Sequence, residues 1–159
     1  MICWTVTDFD GIDPHTLYEI LRLRAEVFVV EQVCAYLDVD GRDFLATHLI
    51  GQLENRVVAY ARWFEEEPGM WSLGRIVTHP DVRGGGLGTR LMSEAVKRLE
   101  DRTVVMHAQA HLATFYSRFG FQREGDPFLE DGIPHVFMRR EAGVFVPPAS
   151  PPSQSKRPS

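Results

Sequence analysis

The first half of the chain combines the two-residue period of strands with the longer period of an amphipathic helix. Glu54 and Asn55 separate two apolar segments, which predicts a hairpin of antiparallel strands. Asp13 and Pro14 are typical of the cap and the first residue of a helix, and helical spacing of apolar residues extends that helix to about Val27. The strands predicted in this half are 4–7, 47–52 and 57–64.

In the second half, strands alternate with helices. A glycine-rich segment at 84–88 follows one strand and opens an amphipathic helix, and a further helix is predicted over 112–119, closed by Gly120. The strands predicted here are 71–78, 103–108, 121–124 and 135–140. Because strands alternate with helices in the middle and pair as hairpins near the ends, the pattern predicts an α/β fold, with a mixed sheet and helices on both faces.

The apolar pattern stops near the C-terminus. We expect one folded domain over 1–141, since that length buries an adequate core. Residues 142–159 are rich in Pro and Ser and have almost no apolar side chains to bury. A segment of that composition cannot offset its own ordering entropy, so we predict a disordered or extended tail.

Composition and charge exclude several classes of protein. The formal net charge of −5 does not fit a protein that binds nucleic acid by neutralising its phosphate groups. Cys3 and Cys34 cannot form a disulfide framework and have no zinc-site spacing. The first residues lack the pattern of a secretory signal, and no apolar stretch approaches the ~18 residues of a transmembrane helix. We therefore expect a cytoplasmic protein with no membrane partner.

The segment Arg83-Gly84-Gly85-Gly86-Leu87-Gly88 is the most informative motif. A strand that runs into a glycine loop and then a helix gathers unpaired backbone N–H groups at the positive end of the helix dipole, which favours a phosphate ligand. The lysine of the P-loop is missing, and the glycine spacing does not fit the dinucleotide fingerprint. The spacing that fits is Arg-x-x-Gly-x-Gly. A glycine-rich turn without a ligand is the alternative.

That spacing resembles the acetyl-CoA loop of GNAT superfamily N-acetyltransferases. Residues 109–121 resemble the second signature of that family, a short helix that bears Phe-Tyr and ends in Gly-Phe. Further segments are similar to the ElaA-like subgroup, and the resemblance covers about 15–140. These segments are 23–32, 38–43, 108–111 and 130–135.

The resemblance implies a GNAT (acyl-CoA N-acyltransferase) fold, three-layer α/β/α, with a mixed central sheet of six to seven strands. It also implies that the strand around 75–77 parts from its neighbour and pairs with the pantetheine arm of acetyl-CoA. Tyr116 falls at the general-acid position, and Gln109 stands where many relatives carry Asn. The expected cofactor-binding residues are Ile76, Val77, Arg83, Gly84, Gly85, Gly86, Leu87, Gly88, Thr89, Gln109 and Tyr116.

The sequence does not decide which residue removes the proton from the amine. Glu31, His111 and His135 are the candidates, and Glu31 follows an apolar run that could bury it and raise its pKa. Together with Asp40, Glu31 and His135 are also the expected substrate-binding residues. Water could relay the proton instead of a side chain.

The acidic turn at 38–43 has two interpretations. Solvated turn carboxylates are the first, and an acidic wall that attracts an ammonium substrate is the second. A calcium loop is excluded because its twelfth position, counted from Asp38, is Leu49. The histidines show no metal-binding spacing, so no metal is expected.

We therefore predict an acyltransferase that moves an acetyl group from acetyl-CoA directly to an amine of a small molecule or peptide. A non-catalytic acyl-CoA-binding regulatory module and an acyltransferase for a longer acyl-CoA are the alternatives. A nucleotide-binding protein is disfavoured by the glycine spacing. The oligomeric state is open, with a homodimer as one option because dimers are common among similar proteins.

Overall fold

The structure, a computed structural model, describes residues 1–144 and contains one mixed sheet flanked by helices. The predicted tail lies outside the described residues from 145 onward. The described strands are β1 (Cys3–Asp8), β2 (Thr47–Leu53), β3 (Arg56–Glu67), β4 (Met70–Thr78), β5 (Thr103–Gln109), β6 (Gln122–Glu130) and β7 (Ile133–Arg140). The described α-helices are α1 (Pro14–Arg24), α2 (Leu87–Arg98) and α3 (Ala113–Ser117).

The sheet has seven strands in the order β1-β2-β3-β4-β5-β7-β6. Neighbours are antiparallel except β4 and β5, which are parallel and joined through α2. A parallel pair needs such a crossover, whereas the antiparallel pairs of consecutive strands, β2–β3, β3–β4 and β6–β7, close through short turns. The predicted mixed α/β sheet is confirmed.

Helices cover both faces of the sheet. The larger core lies under α2 and α3, where Leu91, Met92 and Leu99 are fully buried against the sheet. A smaller core joins α1 to the other face through residues such as Ile20 and Leu23. The three-layer arrangement predicted above is therefore present. None of the described helices has the length and apolar character needed to span a membrane.

Two elements differ from the sequence-based expectation. The first helix does not end near Val27, because α1 continues as a π-helical segment, Ala25–Glu31, with Gln32 N donating to Val27 O at 3.1 Å. β6 is longer than the predicted 121–124. Most of its residues are exposed and its pairing with β7 shifts register between Glu124 and Phe128, so its apolar period is weak.

A buried arginine–aspartate network fixes the irregular chain between the π-helical segment and β2. Its members are Arg24, Arg62, Arg75, Asp38, Asp40 and Asp43. Arg24 Nε donates to Asp38 Oδ2 at 2.8 Å, and Arg24 Nη1 donates to Asp43 Oδ1 at 2.7 Å. Since Arg24 is fully buried and both aspartates are 8% exposed, the interpretation as solvated carboxylates is wrong for Asp38 and Asp43. Asp40 is more exposed but is ion-paired with Arg62.

The arginines determine the ionisation of the network. Burial raises the pKa of Asp43, but the hydrogen bonds and charges of Arg24 and Arg62 outweigh it, so the pKa lies below its usual value. The same balance, with Arg62 as the main partner, lowers the pKa of Asp40. Both carboxylates are therefore ionised at neutral pH.

Replacing Arg24 with Met should lower the free energy of unfolding by about 3–5 kcal/mol, because Asp38 and Asp43 would stay buried after each lost one of its two guanidinium partners. Arg22→Met is the matched control on the same helix. Its side chain is 68% exposed in a weak pair with Glu19, so its effect should stay within about 0.5 kcal/mol. Urea unfolding measures both variants, and equal losses would contradict this account of the network.

Candidate active site

The parting of β4 from β5 creates the main cavity. The two strands pair only from Met70–Thr103 to Ser72–Val105 in the described part of the chain, and then separate. Just beyond this point β4 carries a bulge, where Arg75 has a φ of 52° and the register with β3 shifts. A bulge bends its strand and ends regular pairing. The result is a cleft of about 870 Å³.

The cavity brings together most of the side chains expected from the sequence. From the predicted cofactor set, Ile76, Val77, Arg83, Gln109 and Tyr116 line it. From the predicted catalytic and acceptor set, Glu31, Asp40, His111 and His135 line it. Residues 84–89 are not part of the lining. They continue from Arg83 into the first turn of α2.

The glycine loop has the backbone geometry expected of a phosphate cradle. Gly84 and Gly86 have φ values of 88° and 80°, and Gly86 is the N-cap of α2. A Cβ placed on Gly84, Gly85 or Gly86 would meet nothing within 4 Å, so the loop presents open backbone. The first helical hydrogen bond runs from Arg90 N to Gly86 O, which leaves the preceding N–H groups without helical partners. These features fit a pyrophosphate.

Arg83 and Glu31 meet across the mouth of the cleft. Arg83 Nη1 donates to Glu31 Oε1 at 2.7 Å, and Arg83 Nη2 donates to Thr78 O at 3.2 Å. The Glu31 side chain is 40% exposed, so the burial expected from the preceding apolar run is not found. Glu31 is thus an ion-pair partner of the glycine loop and lacks the buried setting that the sequence suggested for a base.

Tyr116 lies against the cavity from the α3 side of the sheet. Ala113 and Tyr116 are the buried residues of α3, three positions apart and therefore on one face. Burial raises the pKa of Tyr116 to about 12. The phenol keeps its proton at neutral pH and can act as a proton donor.

A histidine–glutamate cluster, His107, Glu130 and His135, lies on the cavity wall formed by β5, β6 and β7. His107 Nδ1 donates to Glu130 Oε1 at 2.9 Å, and His135 Nε2 lies 3.5 Å from Glu130 Oε2. His135 is 8% exposed. His111, in contrast, is exposed where it lines the cavity.

Comparison with known sequences decides the family. A model of the acetyltransferase (GNAT) domain matches residues 26–142. The chain belongs to the GNAT acetyltransferase family. A UPF0039 protein of Mycobacterium tuberculosis is 44% identical over 135 residues, which is 81% of this chain and 86% of that protein. Protein ElaA of Escherichia coli is 38% identical over 149 residues, covering 89% and 97%.

Solved structures agree with this assignment. An acyl-CoA N-acyltransferase from Pseudomonas aeruginosa matches with a TM-score of 0.82 and 39% identity, over 87% of this chain and 99% of that chain. The crystal structure of E. coli ElaA matches with a TM-score of 0.83 and 37% identity, over 89% and 100%. The predicted GNAT fold and ElaA-like subgroup are therefore confirmed.

Some residues of this GNAT site were not found by sequence reasoning. Gln109 Nε2 donates to Gln32 Oε1 at 3.1 Å, so the longer amide reaches across to the end of the π-helical segment. Gln32 received no role from the sequence. Glu130 and His107 also received none, although Glu130 begins one of the segments that carry the family resemblance. Glu130 and His107 lie beside His135 because β6 and β5 both pair with β7, which a sequence pattern does not show.

Asp40 is not the free acidic wall that the sequence allowed. Arg62 Nη1 and Nη2 donate to its two carboxylate oxygens at 2.9 and 2.6 Å, and Arg75 Nη2 lies 3.5 Å from Oδ2. Its charge in the GNAT cavity is already balanced by guanidinium groups. Substrate binding by Asp40 stays a prediction.

Two alanine substitutions separate backbone strain from crowding in the loop. Gly86→Ala should lower the free energy of unfolding by about 1–2 kcal/mol, since an L-residue is strained at its φ of 80° although the space is open. Gly85→Ala is the matched control, because Gly85 is equally open and is absent from the positive-φ glycines. It should change stability by less than about 0.5 kcal/mol in urea unfolding. Similar losses in both variants would contradict the geometry of the loop.

Proposed function

We propose that this GNAT protein transfers the acetyl group of acetyl-CoA directly to an amine of a small molecule or peptide. The observation that carries the proposal is the cleft between β4 and β5, with the glycine loop in continuity with Arg83 at its mouth and Tyr116 on its wall. The name of the related P. aeruginosa structure, an acyl-CoA N-acyltransferase, supports a CoA thioester as donor.

The backbone of β4 supplies the polar groups for the pantetheine arm. Beyond Ser72 the edge of β4 that faces β5 has no strand partner in the described chain, so its N–H and C=O groups are free to pair with an extended ligand. At the other end, the N–H groups at the start of α2 and the charge of Arg83 match a pyrophosphate. The cavity would hold the thioester between them.

The transfer requires a neutral amine and a protonated leaving thiol. The amine nitrogen forms a bond to the acetyl carbonyl carbon as the bond from that carbon to sulfur breaks. Tyr116 holds a proton at neutral pH because burial raises its pKa to about 12, and it donates that proton to the departing thiolate. The amide nitrogen returns a proton to Tyr116 as it loses its positive charge.

Gly86→Glu should abolish acetyl-CoA binding, because it puts a carboxylate where the pyrophosphate would lie. Gly125→Glu is the matched control: Gly125 also has a positive φ, of 75°, and open space, but lies in β6 outside the cavity lining. Calorimetric titration with acetyl-CoA, CoA and ATP measures all three proteins.

Each result of that titration has a clear meaning. Loss of acetyl-CoA binding in Gly86→Glu alone supports the loop as the donor site. Failure of folded wild type to bind acetyl-CoA would refute the proposal. Tighter binding of a longer acyl-CoA would favour the acyltransferase alternative, and binding without transfer to any amine would favour a regulatory module.

Tyr116→Phe should lower kcat by about 10²–10⁴-fold, the usual contribution of a general acid, while the Kd for CoA stays unchanged. Tyr18→Phe is the control, since Tyr18 is 69% exposed on α1. Release of free thiol measures turnover. Full turnover in Tyr116→Phe would remove Tyr116 from the acid role.

A further inference from the structure

The histidine–glutamate cluster presents two adjacent hydrogen-bond acceptors on the cavity wall. His135 Nδ1 lies 2.7 Å from Ile133 O, and a carbonyl oxygen can only accept, so Nδ1 carries the hydrogen. In the neutral ring Nε2 then has a lone pair. That lone pair lies 3.5 Å from Glu130 Oε2, which is too long for a hydrogen bond between them. Two acceptors therefore lie side by side, at a separation that a single N–H donor group can bridge.

The ring of His135 is held in place. It stacks on Phe128 with centroids 6.1 Å apart and an interplanar angle of 24°, and its side chain is 10% exposed. Glu130 is fixed on its other side by the hydrogen bond from His107. The ring of His135 is thus held by packing, and the Glu130 carboxylate is oriented by its hydrogen bond with His107.

We propose that His135 binds the acceptor ammonium group and removes its proton, with Glu130 as the second acceptor of its N–H bonds. A primary ammonium carries several N–H donors and a positive charge, and the cluster offers two adjacent acceptors and a carboxylate. The substrate class is therefore a protonated primary amine. This inference rests on the proposed acetyl transfer and identifies the proton acceptor within it.

The proton balance is complete with groups of this chain. One ammonium proton passes to His135 Nε2, and the resulting imidazolium lies next to the Glu130 carboxylate, which stabilises it. The neutral amine then attacks the thioester carbonyl. Tyr116 gives its proton to the departing thiolate. The new amide nitrogen then loses a proton, which restores the hydroxyl group of Tyr116. His135 later releases its proton to water.

The other acidic and basic groups of the cavity are less suited to this role. Glu31 is ion-paired with Arg83, and Asp40 is held by Arg62 and Arg75. His111 is exposed, and its side chain makes no hydrogen bond with another of the described residues. The titratable groups that line the cavity with His135 include Glu130 from β6, His107 from β5, Asp131 from the β6–β7 turn, Cys34, whose Sγ lies 3.4 Å from Asp131 O, His111 and Tyr116.

The first test reads the His135 ring nitrogens by long-range ¹H–¹⁵N spectra of the intact protein with CoA. We expect a protonated Nδ1, an unprotonated Nε2, and a shift of Nε2 when butylamine is added. Butyltrimethylammonium has the same charge but no N–H, and should leave Nε2 unchanged. The opposite tautomer, or equal shifts with both cations, would overturn the proposal. This test needs no turnover, so it decides the inference even if acetyl transfer itself fails.

The second test compares acetylation of butylamine by wild type and His135→Gln. We expect kcat/KM to fall by about 10²–10⁴-fold in His135→Gln, with the Kd for CoA within about twofold of wild type. His15→Gln, on the exposed side of α1, should keep the full rate. Full activity in His135→Gln would overturn the role of His135, and loss of CoA binding in that variant would assign it a structural role instead. Wild type that acetylates neither butylamine nor any other amine would refute the proposed function alone, and the first test would then decide the inference.

Discussion

The buried arginine–aspartate network is the constraint on which the site depends. Three guanidinium groups from α1, β3 and β4 converge on carboxylates of a single segment between the π-helical segment and β2, whose regular structure among the described residues is a short 3-10 helix, Arg42–Leu45. Arg75 belongs both to this network and to the bulge of β4. The same interactions therefore hold one wall of the cavity and the bend that opens it.

Most carboxylates in the cavity are already paired with arginine side chains of the protein itself. Arg83 neutralises Glu31 and the network neutralises Asp40, whereas within the described part of the chain Glu130 has a hydrogen bond from His107, the imidazole of His135 at 3.5 Å, and no guanidinium or ammonium partner. In such a site the position of a bound cation matters more than the total charge of the cavity. A cation binds most favourably beside the carboxylate that has the fewest ion pairs and hydrogen bonds within the protein. That position lies on the wall formed by the C-terminal half of the sheet.

Local patterns in the sequence were sufficient for most of the elements and for the glycine loop, because spacing and backbone geometry there depend on nearby residues. They were insufficient where distant segments meet. Arg24 lies in the apolar stripe of a helix, which indicates a buried ion pair. The sequence does not reveal its partners, Asp38 and Asp43, because they lie 14 and 19 residues away outside that helix. Glu130 and His135 could not be joined to His107 without the strand order, and the exposed residues of β6 obscured that strand.

The parallel contact of β4 and β5 is the narrowest in the sheet, with three residue pairs. It divides the sheet into two antiparallel ribbons, one N-terminal and one C-terminal, that are otherwise joined through the helices and the chain of α2. Amide protons along this boundary should exchange through local opening more readily than those inside either ribbon. A ligand that pairs with the free edge of β4 would act as an added strand between the ribbons. Binding in the cleft should therefore raise the free energy of unfolding of the whole domain.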